Sequence, residues 1–201
     1  MSSFESLNSE EVNSLTIYLK ALWCIENAAV EQRRCRMAKV DSTFLDVNDP
    51  FPILDLKLLS GETLNLPQGF GEGYGVLLIY RGYWWPFCKQ QLADFQTALK
   101  EYDAEQIKVI GGSVDPVEKT QELVDNLGIT FPIAYGLDVK MVSRFTGSFY
   151  EKEKEYLQPT GIIIRPDKTI EIAVYSTGAV GRFVARDVLG VVKYYKSLIK
   201  S

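Results

Sequence analysis

Among the residues that can do covalent chemistry, Cys88 has the most informative surroundings. It follows the apolar run 76–79, which predicts a buried strand, and it comes directly before the helical pattern of residues 90–99. The first turn of a helix offers unpaired N–H groups and a partial positive charge, which favour a thiolate over a thiol. The thiolate is the reactive form of cysteine, so the sequence predicts a redox-capable thiol at Cys88.

An inert thiol packed in an apolar core is the alternative for Cys88. The residues that lead from the strand to the helix favour the reactive interpretation, because they bring a cation and several aromatic rings into one corner of the chain. Lys89 adds a second cation beside the thiol. The candidate site-lining residues of this corner are Arg81, Trp84, Trp85, Pro86 and Phe87.

The composition excludes several other kinds of catalysis. The 201 residues include no histidine, which rules out Ser-His-Asp and Cys-His catalysis and histidine-ligated metals. The three cysteines, Cys24, Cys35 and Cys88, are too few and too scattered for a disulfide framework or a zinc site. We therefore expect no metal and no cofactor.

Charge and hydropathy are typical of a globular protein. Hydrophobic residues make up 46% of the chain and charged residues 24%, and the formal net charge of -4 gives no electrostatic footprint for nucleic acid. The sequence contains no run of about 18 apolar residues, the length that would predict a membrane-spanning helix. The N-terminus lacks the basic and then apolar pattern of a signal peptide, so we expect no membrane partner and a cytoplasmic location.

The first part of the chain predicts a helical extension, which we assign to residues 1–48. Apolar residues keep helical spacing over about residues 8–38. Cys24 and Cys35 would lie about 16 Å apart along this helix, too far to bridge each other. They are either thiols without a role or resolving partners for Cys88. The apolar stripe of the helix must be covered, either by the protein's own domain or by a second copy in a homodimer.

Residues 49–201 alternate strand and helix patterns, which predicts one α/β domain with a mixed sheet. Runs around 54–59 and 63–66 predict a hairpin, and 69–75 and 150–156 are expected to be loops, the second alternatively an edge strand. Asp115 is expected to cap the helix that follows it. The other predicted strands are 76–79, 107–110, 128–133, 161–164 and 169–175, and the helices are one beginning at Cys88, 115–127, 138–145 and 184–199.

The segment 80–92, Tyr-Arg-Gly-Tyr-Trp-Trp-Pro-Phe-Cys-Lys-Gln-Gln-Leu, resembles the motif of the peroxiredoxin-like branch of the thioredoxin fold. These redoxins are related to alkyl hydroperoxide reductase and thiol-specific antioxidant proteins (AhpC/TSA). Further matches at 113–115, 128–132 and 159–160 extend the resemblance over about residues 50–195. The resemblance implies an antioxidant oxidoreductase with a thioredoxin-like three-layer sandwich and a mixed central sheet. The N-terminal helical extension is not covered by it.

Compared with the family motif, this chain keeps the cysteine and changes its neighbours. Cys88 falls on the cysteine that attacks peroxide in the family. Trp85 stands where typical members have a threonine, or where others have the first cysteine of a Cys-x-x-Cys pair. Arg81 stands where a proline is usual. The threonine hydroxyl that would hydrogen-bond peroxide and thiolate is therefore missing.

Three further positions are assigned by the resemblance alone. Gln158 occupies the place of a second active-site arginine. Pro159 falls where thioredoxin-like proteins place a cis-proline that faces the active cysteine, and Thr160 follows it. The resemblance therefore implies that Pro159 and Thr160 line the site.

The departure at Trp85 leaves three interpretations open. The tryptophan covers the pocket of a working thiol and changes its substrate, or it marks a site that has lost its reactive cysteine. A changed codon is the third, because the codons for cysteine and selenocysteine each differ from that of tryptophan by one base.

Two functions of different classes follow from these observations. The favoured one is a thiol-dependent redox protein that reduces a peroxide with one cysteine, or exchanges with a disulfide, through Cys88. An external thiol reductant, a second subunit, or Cys24 or Cys35 would then regenerate the thiol. The alternative is a catalytically retired thioredoxin-fold protein that binds a partner or dimerises. A less favoured third is that the aromatic corner binds a peptide or small ligand, with Cys88 only lining the pocket.

Overall fold

The computed structural model of the chain describes residues 37–38 and 44–199. The chain divides into two compact units, Met1–Arg36 and Met37–Ser201, and the described residues belong to the second. The predicted N-terminal helix, with Cys24 and Cys35, lies outside the described residues except for its last two positions. There the prediction is wrong, because Met37 and Ala38 form a strand whose backbone pairs with residues 150–151.

The described part of the chain alternates short strands with four α-helices. None of these helices is both long and apolar enough to cross a membrane. In chain order the strands are β1 (Met37–Ala38), β2 (Leu54–Lys57), β3 (Thr63–Leu66), β4 (Tyr74–Ile79), β5 (Ile107–Gly112), β6 (Ile133–Ala134), β7 (Tyr150–Glu151), β8 (Tyr156–Leu157), β9 (Thr160–Ile164) and β10 (Ile170–Tyr175). The helices are α1 (Pro86–Ala104), α2 (Val117–Leu127), α3 (Val139–Thr146) and α4 (Ala185–Ile199).

A five-stranded mixed sheet in the order β10-β9-β4-β5-β6 forms the centre of the fold. Strand β4 runs parallel to β5, and β5 parallel to β6, whereas β9 is antiparallel to both β4 and β10. All six residues of β4 are buried, which explains its unbroken apolar sequence, because both faces of a central strand are covered. The predicted α/β fold with a mixed sheet is confirmed.

Apolar side chains pack on both faces of this sheet. Val76 of β4 points into a cluster with Leu92 of α1, to which α2 and α4 also contribute. Leu77, the next residue of β4, points the other way, into a cluster with Leu56 of the β2–β3 hairpin and Val142 of α3. Alternate residues of one strand thus serve the two faces. The result is the three-layer arrangement that the sequence predicts, with α1 beginning where β4 ends.

Several local predictions need correction. The strand expected over 128–133 is reduced to β6. Asp115 does not cap α2, because the helix begins at Val117 with Pro116 as its N-cap residue and no side-chain cap. For residues 150–156 the alternative of an edge strand is the better prediction, since β7 and β8 pair with each other and β7 pairs with β1. The expected loop 69–75 overlaps a short 3-10 helix, Gln68–Phe70.

Candidate active site

Cys88 is the third residue of α1, directly after the loop that leaves β4. Trp85 is the N-cap residue of this helix and Pro86 its first residue, a position where the N–H that proline lacks would be unpaired anyway. The Cys88 N–H donates to the Trp85 carbonyl at 3.0 Å and closes the first turn. The sulfur therefore lies at the positive end of the helix dipole, where a thiolate is favoured.

Two N–H donors converge on the Cys88 sulfur. The backbone N–H of Arg81 lies 3.3 Å from Sγ, and Nη1 of Arg182 lies 3.4 Å from it. Cys88 is 0% exposed and packs in the same apolar cluster as Leu92. A neutral thiol accepts hydrogen bonds only weakly, so two donors, one of them cationic, suit a negatively charged sulfur better.

Arg182 is a candidate functional residue that sequence reasoning missed. It lies between β10 and α4 and is half-buried. Its Nε donates to the Val180 carbonyl at 2.9 Å, and its Nη2 donates to the Ala179 carbonyl. The guanidinium also lies over the Phe87 ring, 5.7 Å from its centre. These contacts fix the cation in a direction that leaves Nη1 for the sulfur.

The family resemblance places the second active-site arginine at position 158, where this chain has a glutamine. Gln158 is buried there, directly after β8. The cation comes from a loop farther along the chain, so an alignment around position 158 could not find it. The sequence does contain one signal, the pair Gly181 and Arg182 shortly before the last helix, where a flexible residue precedes a long cation.

Arg81 contributes its backbone N–H, while its side chain belongs to an aromatic cluster. The guanidinium lies 4.6 Å from the ring centres of Trp85 and Tyr156 and 5.1 Å from that of Trp84. It also donates to the Tyr156 hydroxyl, and its Nε is buried without a hydrogen-bond partner among the described residues. Lys89, the other cation expected near the thiol, is exposed.

Trp85 bridges the start of α1 to the loop that carries Arg182. Its indole Nε1 donates to the Ala179 carbonyl at 2.9 Å. Its ring packs edge-on against Trp84, with centres 5.6 Å apart, and lies 5.9 Å from Phe87. Trp84 and Phe87 are partly open to solvent, at 42% and 53% exposure, whereas Trp85 is half-buried. The aromatic corner predicted from the sequence therefore forms, with Trp85 as its inner member.

Asp115 supports the loop before Cys88 rather than α2. Its carboxylate accepts the Tyr83 N–H at 2.7 Å and the Ser113 hydroxyl at 2.7 Å. Burial raises the pKa of Asp115, and the hydrogen bonds from Ser113 and Tyr83 oppose that rise. Gly82 is needed in this loop, because a Cβ there would lie 2.5 Å from Nε1 of Trp84 and its φ is 155°.

Pro159 and Thr160 lie beside the strand that leads to the site. Thr160 pairs with Ile79 across β9 and β4, and its hydroxyl donates to the Gln158 carbonyl at 3.3 Å. The Pro159 carbonyl accepts the Ser176 N–H at 3.1 Å, at the base of the loop that holds Arg182. The prediction of a cis peptide bond before Pro159 is wrong. Among the described residues the cis peptide bond is Leu66–Pro67.

No metal site is formed by the part of the chain that the structure describes, which contains no group of three or more metal-ligating side chains.

The family model that matches the chain is that of the AhpC/TSA family, over residues 47–173. The 1-Cys peroxiredoxin PER1 of Triticum aestivum is 24% identical over 148 residues, which cover 69% of this chain and 67% of that protein.

Two further relatives extend the comparison. The thiol-disulfide oxidoreductase ResA of Oceanobacillus iheyensis is 26% identical over 160 residues, covering 77% of this chain and 78% of that protein. The structure of a yeast mitochondrial 1-Cys peroxiredoxin superposes with a TM-score of 0.65 at 20% identity, covering 78% of this chain and 79% of that one. Relatives of these two kinds support a thiol-dependent redox function. With a thioredoxin-like fold and a family model that matches more than half of its residues, the protein belongs to the AhpC/TSA family.

Proposed function

We propose that the protein is a thiol peroxidase that reduces a peroxide with the single cysteine Cys88. The observation that carries this proposal is the convergence of the Arg81 N–H and the Arg182 guanidinium on the sulfur, at 3.3 and 3.4 Å. Together with the N-terminus of α1, they stabilise negative charge on Sγ. Since the thiolate is the nucleophile, the arrangement favours attack on an electrophilic oxygen.

The reaction balances with the peroxide as the oxidant. The thiolate attacks one peroxide oxygen, the O–O bond breaks, and an S–O bond forms at Cys88. The other oxygen leaves as an alkoxide or hydroxide and takes a proton from water. The cysteine is oxidised by two electrons to a sulfenic acid, and the peroxide is reduced to an alcohol or water.

Regeneration requires a second thiol. An external thiol would attack the sulfenic sulfur to give a mixed disulfide and water, and a further thiol would release Cys88 and form a disulfide. The yeast mitochondrial 1-Cys peroxiredoxin is described with a thiol resolving mechanism through glutathione and thioredoxin systems, which supports an external reductant here. Resolution by Cys24, Cys35 or a second copy in a homodimer stays a prediction.

The test uses a variant in which Cys24 and Cys35 are both serine, so that Cys88 is the one thiol in the chain. Its ionisation is followed by thiolate ultraviolet absorbance as the pH is raised, against the same protein with Cys88→Ser. Hydrogen peroxide is then added at neutral pH, and the products are analysed by intact mass. We expect a thiolate signal that the Cys88→Ser protein lacks, followed by a one-oxygen adduct at Cys88.

The alternative, a binding module without catalysis, is favoured by one observation. Cys88 is fully buried, while Trp84 and Phe87 present apolar surface at 42% and 53% exposure. On that alternative the thiol forms no adduct with hydrogen peroxide. This result would contradict the peroxidase proposal, and an adduct with catalytic turnover in the presence of an added thiol would contradict the alternative.

A further inference from the structure

The segment 177–182 carries Arg182 and is open to solvent over much of its length. Thr177, Gly178, Val180 and Gly181 are all exposed. A Cβ added at Gly178 would meet nothing within 4 Å, so packing does not restrict this part of the segment. Two glycines in an exposed stretch leave the backbone many conformations, and the direction of the Arg182 side chain must be fixed by specific contacts.

Both ends of the segment are anchored. The Ser176 N–H donates to the Pro159 carbonyl at 3.1 Å. The Gln91 side chain donates to the Phe183 carbonyl at 3.0 Å, and this hydrogen bond is buried. Between these anchors, two hydrogen bonds among the described residues join the segment to another element. Arg182 itself makes one, to Cys88, and Trp85 donates the other, to the Ala179 carbonyl.

A chain of contacts then runs from Trp85 to the sulfur. The indole Nε1 donates to the Ala179 carbonyl at 2.9 Å, and Nη2 of Arg182 donates to the same oxygen. A carbonyl oxygen has two lone pairs, so it accepts both donors. From this position Nη1 of Arg182 reaches the Cys88 sulfur at 3.4 Å. We propose that Trp85 is a positioning residue, whose indole N–H fixes the Ala179 carbonyl and thereby holds the Arg182 guanidinium on the Cys88 sulfur.

Trp85 is suited to this role by its size and rigidity. The short side chains expected at this position, threonine or cysteine, end well before an indole nitrogen does. The ring is fixed by Trp84 and Phe87, at centre distances of 5.6 and 5.9 Å, and by the Arg81 guanidinium at 4.6 Å. A donor on a side chain that is locked by packing holds its acceptor in one place. The change from the family motif therefore removes one hydroxyl and adds a support for the arginine.

The role assumes that Cys88 works as a thiolate, as proposed above, and is tested by a double-mutant cycle. Trp85→Phe keeps an aromatic ring and removes the N–H donor. Trp85→Phe, Arg182→Ala and the double variant are prepared in the protein with Cys24 and Cys35 replaced by serine. For each, the pH midpoint of thiolate absorbance and the second-order rate with hydrogen peroxide are measured. The matched control is Tyr102→Phe, which removes another aromatic donor to a backbone carbonyl, that of Ala185 at 2.7 Å.

We expect Trp85→Phe to raise the midpoint by about half to one pH unit, a fraction of the one to three units that a nearby opposite charge produces. In the Arg182→Ala background the same change should add less than about 0.2 units, because the positioned group is gone. Tyr102→Phe should leave the midpoint unchanged. The proposal is overturned by no shift in Trp85→Phe, by a full shift in both backgrounds, or by an equal shift in Tyr102→Phe.

These outcomes separate the positioning role from the peroxidase activity. A thiolate whose midpoint depends on Trp85 through Arg182, in a protein that forms no sulfenic acid, would overturn the proposed activity and support the positioning role. A protein that reacts with peroxide equally well with tryptophan or phenylalanine at position 85 would overturn the positioning role and leave the activity supported.

Discussion

Removal of the Arg182 guanidinium is the most direct test of the thiolate proposed at Cys88. Nη1 lies 3.4 Å from the sulfur, and two unit charges at that distance interact by about 5 kcal/mol at an effective dielectric constant near 20. Arg182 is half-buried, so water weakens this interaction. Hydrogen bonds to charged groups contribute about 1.5–3 kcal/mol in measured series, and we take that range for Arg182→Ala.

This free energy converts into measurable shifts. Each 1.36 kcal/mol corresponds to one unit, so the pH midpoint of thiolate formation should rise by about one to two units. At a pH below both midpoints the thiolate fraction then falls by about 10- to 100-fold, but a more basic thiolate is a better nucleophile with a Brønsted coefficient of about 0.4–0.5. The net loss in the second-order rate with hydrogen peroxide should be about 3- to 10-fold.

The assay is thiolate absorbance against pH, together with stopped-flow reaction with hydrogen peroxide, in the protein whose single cysteine is Cys88. Arg186→Ala is the matched control, because it removes a positive charge four positions farther along the chain from a side chain that is 94% exposed. Arg182→Lys should raise the midpoint less than Arg182→Ala does, since lysine keeps the positive charge without the planar fork of the guanidinium. Equal midpoints for Arg182→Ala and Arg186→Ala would refute the role given to Arg182.

Three other changes test the surroundings of the site. Arg81→Gln removes contacts with three rings but keeps the backbone N–H on the sulfur, so stability should fall by about 1–3 kcal/mol in urea unfolding, with a smaller midpoint shift than Arg182→Ala. Asp115→Asn should flatten the pH dependence of stability above the ordinary aspartate pKa of about 4, because burial raises the pKa of Asp115 and wild-type stability must fall as the pH rises through that raised pKa. Gly161→Ala should cost about 1–3 kcal/mol, since the new Cβ would lie 2.3 Å from the Phe183 ring beside Arg182.

For each of these three predictions, one outcome would contradict it. Arg81→Gln must not match Arg182→Ala in its effect on the thiolate. Asp187→Asn, on a side chain that is 69% exposed, is the control for Asp115→Asn, and equal pH slopes for the two would remove the role of burial. Gly190→Ala is the control for Gly161→Ala, because a Cβ at Gly190 meets nothing within 4 Å and alanine should stabilise the helix slightly. Equal losses of stability would contradict the clash with Phe183.

The fold was predictable where one local pattern decides the structure. The run 76–79 and the helix after Cys88 are both found, since a buried central strand and an amphipathic helix each leave a strong periodic signal. The prediction failed where partners distant in sequence decide. Met37 and Ala38 continue a helical pattern, but pairing with β7 makes them a strand. Asp115 stands at the sequence position of a helix cap, but its carboxylate accepts a hydrogen bond from the Tyr83 N–H instead.

The site was predictable only around Cys88. The motif brings Arg81, Trp84 and Trp85 together because they are neighbours in the chain. Arg182 is separated from Cys88 by 94 positions, and no local pattern records that the loop before α4 returns to the start of α1. The same limit applies to Trp85, whose substitution alone suggests a loss. Only the position of the Ala179 carbonyl shows that the indole gains a partner.

The aromatic cluster has a practical consequence for following the reaction. The chain has three tryptophans, and Trp84 and Trp85 are in contact just before α1, with ring centres 5.6 Å apart. On the proposed activity, oxidation of Cys88 to a sulfenic acid would remove a negative charge near Trp85, which packs against the apolar cluster that contains Cys88, and should change its emission. Intrinsic fluorescence would then report each turnover in real time, without a dye, a coupled enzyme or any chemical label on the protein.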